Sequence, residues 1–356
     1  MSELDETGRW DSVDPSGMRT LIESFPDQIR RASEIASAIE LPRHRSTIAH
    51  VVVTGLGGSA IGGDVVRAAV ADTVAVPFWV SRDYVLPAFV GGRTLVVASS
   101  YSGNTEETLS AYEVARAADA KIVCITSGGE IAARARDHGV PVITIPGGLP
   151  PRAALGFSSV ALLGVLAALR LAPGIREALA ELQDVVEALA GRYAAAVAED
   201  HNRAKRLART CHGKIVAIYG SAGVLEPAAV RWRGQMEENA KNLAFHHLLP
   251  EMNHNELEGW NHPQETLRRI AAVLVRDHAD HPQVQRRFDL TRELLERAAG
   301  AVEEVWSEGD SRLARIFSVA YLGDFVSLYL AYLNGVDPTP VPAIDSVKDR
   351  LRDVGH

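Results

Sequence analysis

Two cysteines in 356 residues, Cys124 and Cys211, are too few for a disulfide framework or a cysteine metal site. Basic runs are missing too. The formal charge of −8 argues against a nucleic-acid surface and otherwise serves solubility. The longest apolar stretch, Val160 to Leu169, stops at Arg170 and is too short to cross a bilayer. Met1 to Asp14 is polar and acidic, unlike a secretory signal. These absences lead us to expect a cytoplasmic protein that engages neither membrane nor nucleic acid. What remains is an ordinary globular composition, 47% hydrophobic and 23% charged, in a chain long enough for two domains.

Met18 to Ile39 carries apolar residues at helical spacing and reads as an N-terminal helical arm. Strands are then expected at His50–Thr54, Val76–Ser81, Thr94–Ser99, Lys121–Thr126 and Val140–Ile145, with helices between them. Such alternation predicts an α/β fold, a parallel sheet covered by helices on both faces. Pro146 to Pro151 is a loop, and Arg152 to Leu171 reads as a buried helix. Ile175 to Arg209 gives amphipathic helices that link to a second alternating unit. There Lys214–Tyr219, Arg269–Arg276 and Val302–Trp306 are expected strands. Glu226–Leu248 is expected to be mainly helix, as are Gln283–Ala299 and Ser311–Leu333. The resulting division is 1–45 (arm), 46–175 (first domain), 176–212 (helical connector) and 213–356 (second domain).

The chemistry concentrates after the third strand, at Ser99-Ser100-Tyr101-Ser102-Gly103-Asn104-Thr105. A strand feeds a loop of small hydroxyl residues, and the loop opens a helix, where exposed N–H groups and the helix dipole favour an anion. Ser100, Ser102 and Thr105 offer hydroxyls, and Gly103 permits close backbone approach. An ordinary turn with a Ser/Thr helix cap would use the same residues. A second loop, Gly55-Leu56-Gly57-Gly58-Ser59, joins the first strand to its helix. It fits a dinucleotide fingerprint poorly, since the third glycine is misplaced and Asp83 comes too late. Together the two loops form half of a cage at the carboxyl edge of a parallel sheet, where such sheets bind ligands. In the second half Gly220-Ser221-Ala222-Gly223 echoes the first loop, but Arg276-Asp277-His278 replaces the hydroxyl cluster.

A glycine–serine loop followed by S-x-S-G-N-T resembles the sugar isomerase (SIS) domains. Glu237-Glu238-Asn239-Ala240-Lys241, then Asn253-His254-Asn255-Glu256 with Trp260, then Gly335-Val336-Asp337-Pro338 with Ile344, Asp345 and Lys348, narrow this. In that order they resemble the bifunctional phosphoglucose/phosphomannose isomerases, over about Met18 to Leu351. The resemblance implies two SIS-type doubly wound domains and aldose–ketose isomerisation of hexose 6-phosphates through a cis-enediolate, without metal or other cofactor. It assigns the base to Glu238, ring opening to His254, enediolate stabilisation to Arg152, and help at the ring oxygen to Lys348. Substrate would be held by Gly57, Gly58, Ser59, Ser100, Ser102 and Thr105. It further implies a homodimer in which His254 comes from the neighbouring subunit.

Each residue has a plainer reading. Glu237 serves as an i,i+4 partner of Lys241 on a helix, and Glu238 could be equally exposed. His254 could be a capping or surface histidine, Arg152 a structural bridge, and Lys348 part of a solvated helix face. His246, His247, His254 and His262 cluster in sequence but lack the spacing of a zinc helix. Where the family's bifunctional members carry a threonine, counting back from Lys348 reaches Val341, with Thr339 nearby. Two rival functions fit the phosphate loops: a non-catalytic phosphosugar-binding regulator, and an isomerase of another phosphosugar.

Overall fold

Side chains along the first strands alternate between two separate cores, and this alternation layers the molecule. The computed structural model describes residues 3–6, 8, 10–42 and 48–354. Helices α1 (Trp10–Val13), α2 (Met18–Glu23) and α3 (Phe25–Ser37) precede β1 (His50–Thr54). After it come α4 (Gly58–Ala69), β2 (Phe78–Ser81), β3 (Thr94–Ser99) and α5 (Glu106–Ala117). β4 (Lys121–Thr126), α6 (Gly129–Asp137), β5 (Val142–Thr144) and α7 (Leu155–Ala168) complete the first unit. The sheet is ordered β2-β1-β3-β4-β5 with all pairs parallel. Val51, Val53, Leu95, Val97, Val123 and Ile125 face one core with α4 and α7. Val52, Val96, Ala98 and Cys124 face the other, with Tyr112 and Ala115 of α5 and Ile131 and Ala135 of α6.

Helices α8 (Ile175–Tyr193) and α9 (Arg203–Cys211) lead to β6 (Ile215–Ser221), α10 (Glu226–Glu238) and β7 (Ala244–Leu249). The short helices α11 (Glu256–Gly259) and α12 (Gln264–Leu267) precede β8 (Ile270–Arg276). Then come α13 (Pro282–Ala298), β9 (Ala301–Trp306), α14 (Arg312–Asn334) and α15 (Pro342–Val354). This second sheet is also parallel, ordered β7-β6-β8-β9. Its inner face (Val216, Ile218, Val273) continues the first core, so the two halves share one interior. Helix α14 runs through that interior, buried from Leu313 to Leu333 and packed on α4, α8, α9 and α10. By length and composition it could cross a membrane, yet its whole apolar window is covered by protein.

Two expectations need correction. Glu226–Leu248 is not mainly helix: α10 stops at Glu238, and Ala244–Leu249 becomes the edge strand β7. Lys241, at φ 51°, turns the chain out of the helix, and pairing with β6 captures the residues from Ala244 onward. Arg152–Leu171 does not begin as α-helix either, since a 3₁₀ turn spans Pro151–Ala154 and α7 starts at Leu155. The expected boundary between residues 45 and 46, and the end of the second domain at 355–356, lie outside the described residues.

Candidate active site

The first sheet reverses its strand order between β1 and β3, and such a switch point opens a crevice at the carboxyl ends of the strands. Both hydroxyl-bearing loops flank it. They are stitched together: the Tyr101 N–H donates to Ser59 Oγ at 3.2 Å. A Cβ on Gly55 would meet the Ser99 carbonyl oxygen at 2.6 Å, so only glycine lets the loops close on each other. Ser100 Oγ lies 2.9 Å from Thr105 Oγ1 and accepts the Gly103 N–H at 3.1 Å. Gly103 itself, at φ 72°, is pressed against Gly128, whose carbonyl oxygen a Cβ would meet at 1.9 Å. Asn104 Oδ1 accepts the Glu130 N–H at the start of α6. Ser59 and Ser100 thus shape the loops from within, while Ser102 stays exposed. Neither α4 nor α5 begins with a side-chain cap; the Ser59 N–H donates to the Leu56 carbonyl at 3.1 Å, and the helix starts otherwise have the character that favours an anion.

The same loops locate Arg152. Tyr101 Oη accepts the Leu149 N–H at 2.9 Å, and Gly58 packs against the Pro151 carbonyl. From this turn the side chain of Arg152, a residue 6% exposed, crosses to the second half. Its Nε donates to Asn239 Oδ1 at 2.7 Å, and Nη1 reaches Glu238 Oε2 at 3.4 Å. Nη2 donates to the carbonyls of Pro338 (2.8 Å) and Thr339 (2.7 Å) on the segment leading to α15. Burial lowers the guanidinium's pKa from its ordinary value, and the Glu238 carboxylate opposes that shift. Behind it, Arg231 donates to the Arg152 carbonyl at 3.0 Å. Arg231 is fixed by a two-pronged buried pair with Asp324 (2.9 and 2.8 Å), and Gln235 donates to the same carboxylate. The fold brings Arg152 and Glu238 from positions 86 residues apart to one point.

Other candidates fall elsewhere. Glu237 does not pair with Lys241, because Lys241 is no longer helical; Arg233, one turn earlier, approaches it at 3.8 Å. Lys241 Nζ instead donates to the Glu238 carbonyl at 2.7 Å and to that of Pro338 at 3.2 Å. Burial, then Arg152, lowers its pKa. It is therefore Lys241, not Lys348, whose ammonium the structure sets beside Glu238; Lys348 is exposed on α15. Thr339 Oγ1 is buried without a hydrogen-bond partner near Arg152, whereas Val341 offers its carbonyl to the first turn of α15.

His254 is exposed, but its neighbours are tied down. Met252 is buried, Asn253 donates to Thr291 Oγ1 at 2.9 Å, and Asn255 Oδ1 accepts the Glu256 N–H at 2.6 Å. The Glu256 carboxylate is hydrogen-bonded by Tyr219 and lies 2.8 Å from His247 Nδ1. Hence His254 is presented outward, beside the exposed Asn255, whose side chain is engaged with the Glu256 N–H. Among the described residues no group of three His, Cys, Asp or Glu is placed to hold a metal ion. At the matching crevice of the second sheet, the position of the hydroxyl loop is taken by Asp277, which accepts from Arg315 (3.0 Å) and Ser307 (3.1 Å). Asn239, Tyr101 and Lys241 are the site residues that sequence reasoning did not single out for a role here. The Glu237-Glu238-Asn239-Ala240-Lys241 run was the available signal for Asn239.

Comparison with known proteins defines first the class. A model of the SIS domain matches residues 46–168, and one for the bacterial phospho-glucose isomerase C-terminal SIS domain matches residues 200–351. This is a double SIS fold. The bifunctional phosphoglucose/phosphomannose isomerase of Caldicellulosiruptor bescii is 46% identical, covering 93% of this chain and 98% of the relative. That of Aquifex aeolicus is 36% identical, covering 85% and 90%. The chain belongs to the bifunctional phosphoglucose/phosphomannose isomerase family. A glucose-6-phosphate isomerase like protein from Thermus thermophilus shares the fold, with TM-score 0.64, 20% identity and coverage of 96% and 99%.

Proposed function

We propose that the protein interconverts glucose 6-phosphate, mannose 6-phosphate or both with fructose 6-phosphate. One observation carries the reading: a buried cation from the first half and a carboxylate from the second meet at 3.4 Å beside the anion-binding loops. Isomerisation needs a base that moves a proton between adjacent carbons and a cation for the enediolate. Glu238 takes the proton from C2 of the aldose and returns it to C1. Arg152, already desolvated, stabilises the negative charge that develops on the two oxygens. The N–H groups opening α4 and α5, with Gly57, Gly58, Ser59, Ser100, Ser102 and Thr105, hold the phosphate end.

His254, supplied by a second subunit of a homodimer, opens the sugar ring, and Lys348 assists at the ring oxygen. Thr339, beside Arg152, is better placed than Val341 to offer a hydroxyl to the sugar. Both cysteines are buried and free, in keeping with the reducing cytoplasm. Solvent deuterium incorporation is the test. Incubated in D₂O with each hexose 6-phosphate, the enzyme is expected to label C1 of fructose 6-phosphate and C2 of the aldose it accepts. Binding without exchange or interconversion would make the protein a phosphosugar sensor instead.

A further inference from the structure

Lys241 occupies a backbone position that glycine fills with least strain. Past the last turn of α10 its φ is 51°, and the Asn242 N–H closes the turn on the Met236 carbonyl at 3.0 Å. Asp119 and Arg170 follow α5 and α7 in the same left-handed region, but Lys241 follows the helix whose final residue is Glu238. A lysine standing where a glycine would be easier calls for a use of its side chain. Its reach supplies one. Although the residue is exposed, Nζ donates to the Glu238 carbonyl at 2.7 Å, among the last carbonyls of α10, which a helix leaves without internal donors.

The same ammonium donates to the Pro338 carbonyl at 3.2 Å, and Arg152 Nη2 donates to that carbonyl at 2.8 Å. A closed circuit results. Arg152 holds Asn239, Lys241 lies two residues further on, Lys241 holds Pro338, and Pro338 is held by Arg152. Glu238 sits on this circuit, its carbonyl tied by Lys241 and its carboxylate 3.4 Å from the guanidinium. The charged groups facing the ammonium are Arg152 on the turn before α7, Asp337 on the segment before α15 and Glu238 on α10. Lys214, Glu265 and Arg269 line the cavity that Lys241 shares with them. Glu238 in turn faces Arg152, Lys241 and Glu237.

Building on the reading in which Glu238 is the base, we propose that Lys241 is a positioning residue for the isomerisation. It locks the end of α10 onto the segment that Arg152 also grips, so base and cation keep a fixed spacing. Lys241 itself touches no part of the sugar. The phosphate end is held by loops of the first half, so this clamp acts on proton transfer and leaves binding alone. Its charge acts as well, since a cation near Glu238 favours the carboxylate, the form able to accept a proton.

Lys241→Gly in the full-length protein separates this role from a structural one. Glycine relaxes the backbone while the ammonium is lost, so the urea midpoint is expected to match or exceed that of wild type. Turnover should nevertheless fall roughly 10- to 100-fold, the scale of a small misplacement at the reacting atoms, with hexose 6-phosphate affinity unchanged. The acid limb of the kcat profile should move to higher pH, because Glu238 loses a neighbouring positive charge. Lys241→Arg keeps the charge and should leave that limb in place. Wild-type turnover in Lys241→Gly, or an acid limb that stays put, would overturn the proposal. So would a midpoint that falls in step with turnover, which marks a structural lysine, or weakened affinity, which marks contact with substrate. Glu238→Gln measured alongside tells the two readings apart. Exchange at the wild-type rate in that variant removes the base and this role together. An inactive Glu238→Gln beside a fully active Lys241→Gly removes the role of Lys241 alone.

Discussion

Arg152 Nε donates to Asn239 Oδ1 at 2.7 Å, joining the turn after the first sheet to the end of a helix in the second unit. Asn239 is fully buried and passes the restraint on, its Nδ2 donating to Ser327 Oγ of α14 at 3.0 Å. The guanidinium is therefore aimed by the second half although its backbone belongs to the first. Since Asn239 follows Glu238 directly, the bond that aims the cation also sets the start of the carboxylate.

Replacing Asn239 with Leu keeps the forked shape, at the cost of two bulkier methyl groups, and removes both bonds. Ser327 keeps its bond to the Asp324 carbonyl, so the orphan is Arg152 Nε. The cost is expected to be about 1–3 kcal/mol in urea denaturation, the usual penalty for a stranded buried donor. Activity should fall mainly in kcat, because a misaimed cation loses contact with the enediolate more than with the phosphate.

Gly58→Ala acts from the other side. Its Cβ would lie 2.6 Å from the Pro151 carbonyl oxygen, too close to stand, so the turn carrying Arg152 has to move. Overpacking of this kind costs about 1–3 kcal/mol. We expect kcat/KM to drop while the far-ultraviolet circular dichroism is unchanged, read by steady-state kinetics on the purified variant.

Stability on the acid side should depend on Glu181. Burial works to raise its pKa, but bonds from Ser311 and from the N–H groups of Asp310 and Ser311 outweigh it, so the folded value is lowered. The unfolded chain then binds the proton more tightly. Its contribution is complete above the ordinary glutamate value, about 4.3, and is lost as pH falls through the folded value. Glu181→Gln should flatten the decline of stability over that window, seen in denaturant midpoints from pH 6 down to 3.

Much of the first sheet was readable because buried parallel strands are continuous apolar runs: β1, β3 and β4 fall where Val51, Val96 and Val123 predict them. β7 was not. Ala244-Phe245-His246-His247-Leu248-Leu249 carries two histidines and comes after a helical pattern without a glycine or proline stop. Its start depends on Lys241 adopting a positive φ, which residue type does not announce. The loops were legible as an anion site by composition, yet which hydroxyls turn inward was decided by contacts between Ser59 and Tyr101, 42 residues apart. The meeting of Arg152 with Glu238 likewise comes from packing on α14, which no local pattern encodes.

In the proposed reaction Glu238 moves the proton while the first half of the chain holds the phosphate. Comparing Glu238→Gln with wild type for both turnover and hexose 6-phosphate affinity tests this division of labour most directly. We predict a loss of roughly 10²–10⁴-fold in kcat and in C1/C2 deuterium exchange, with the dissociation constant nearly unchanged. Exchange at the wild-type rate in that variant would contradict the account.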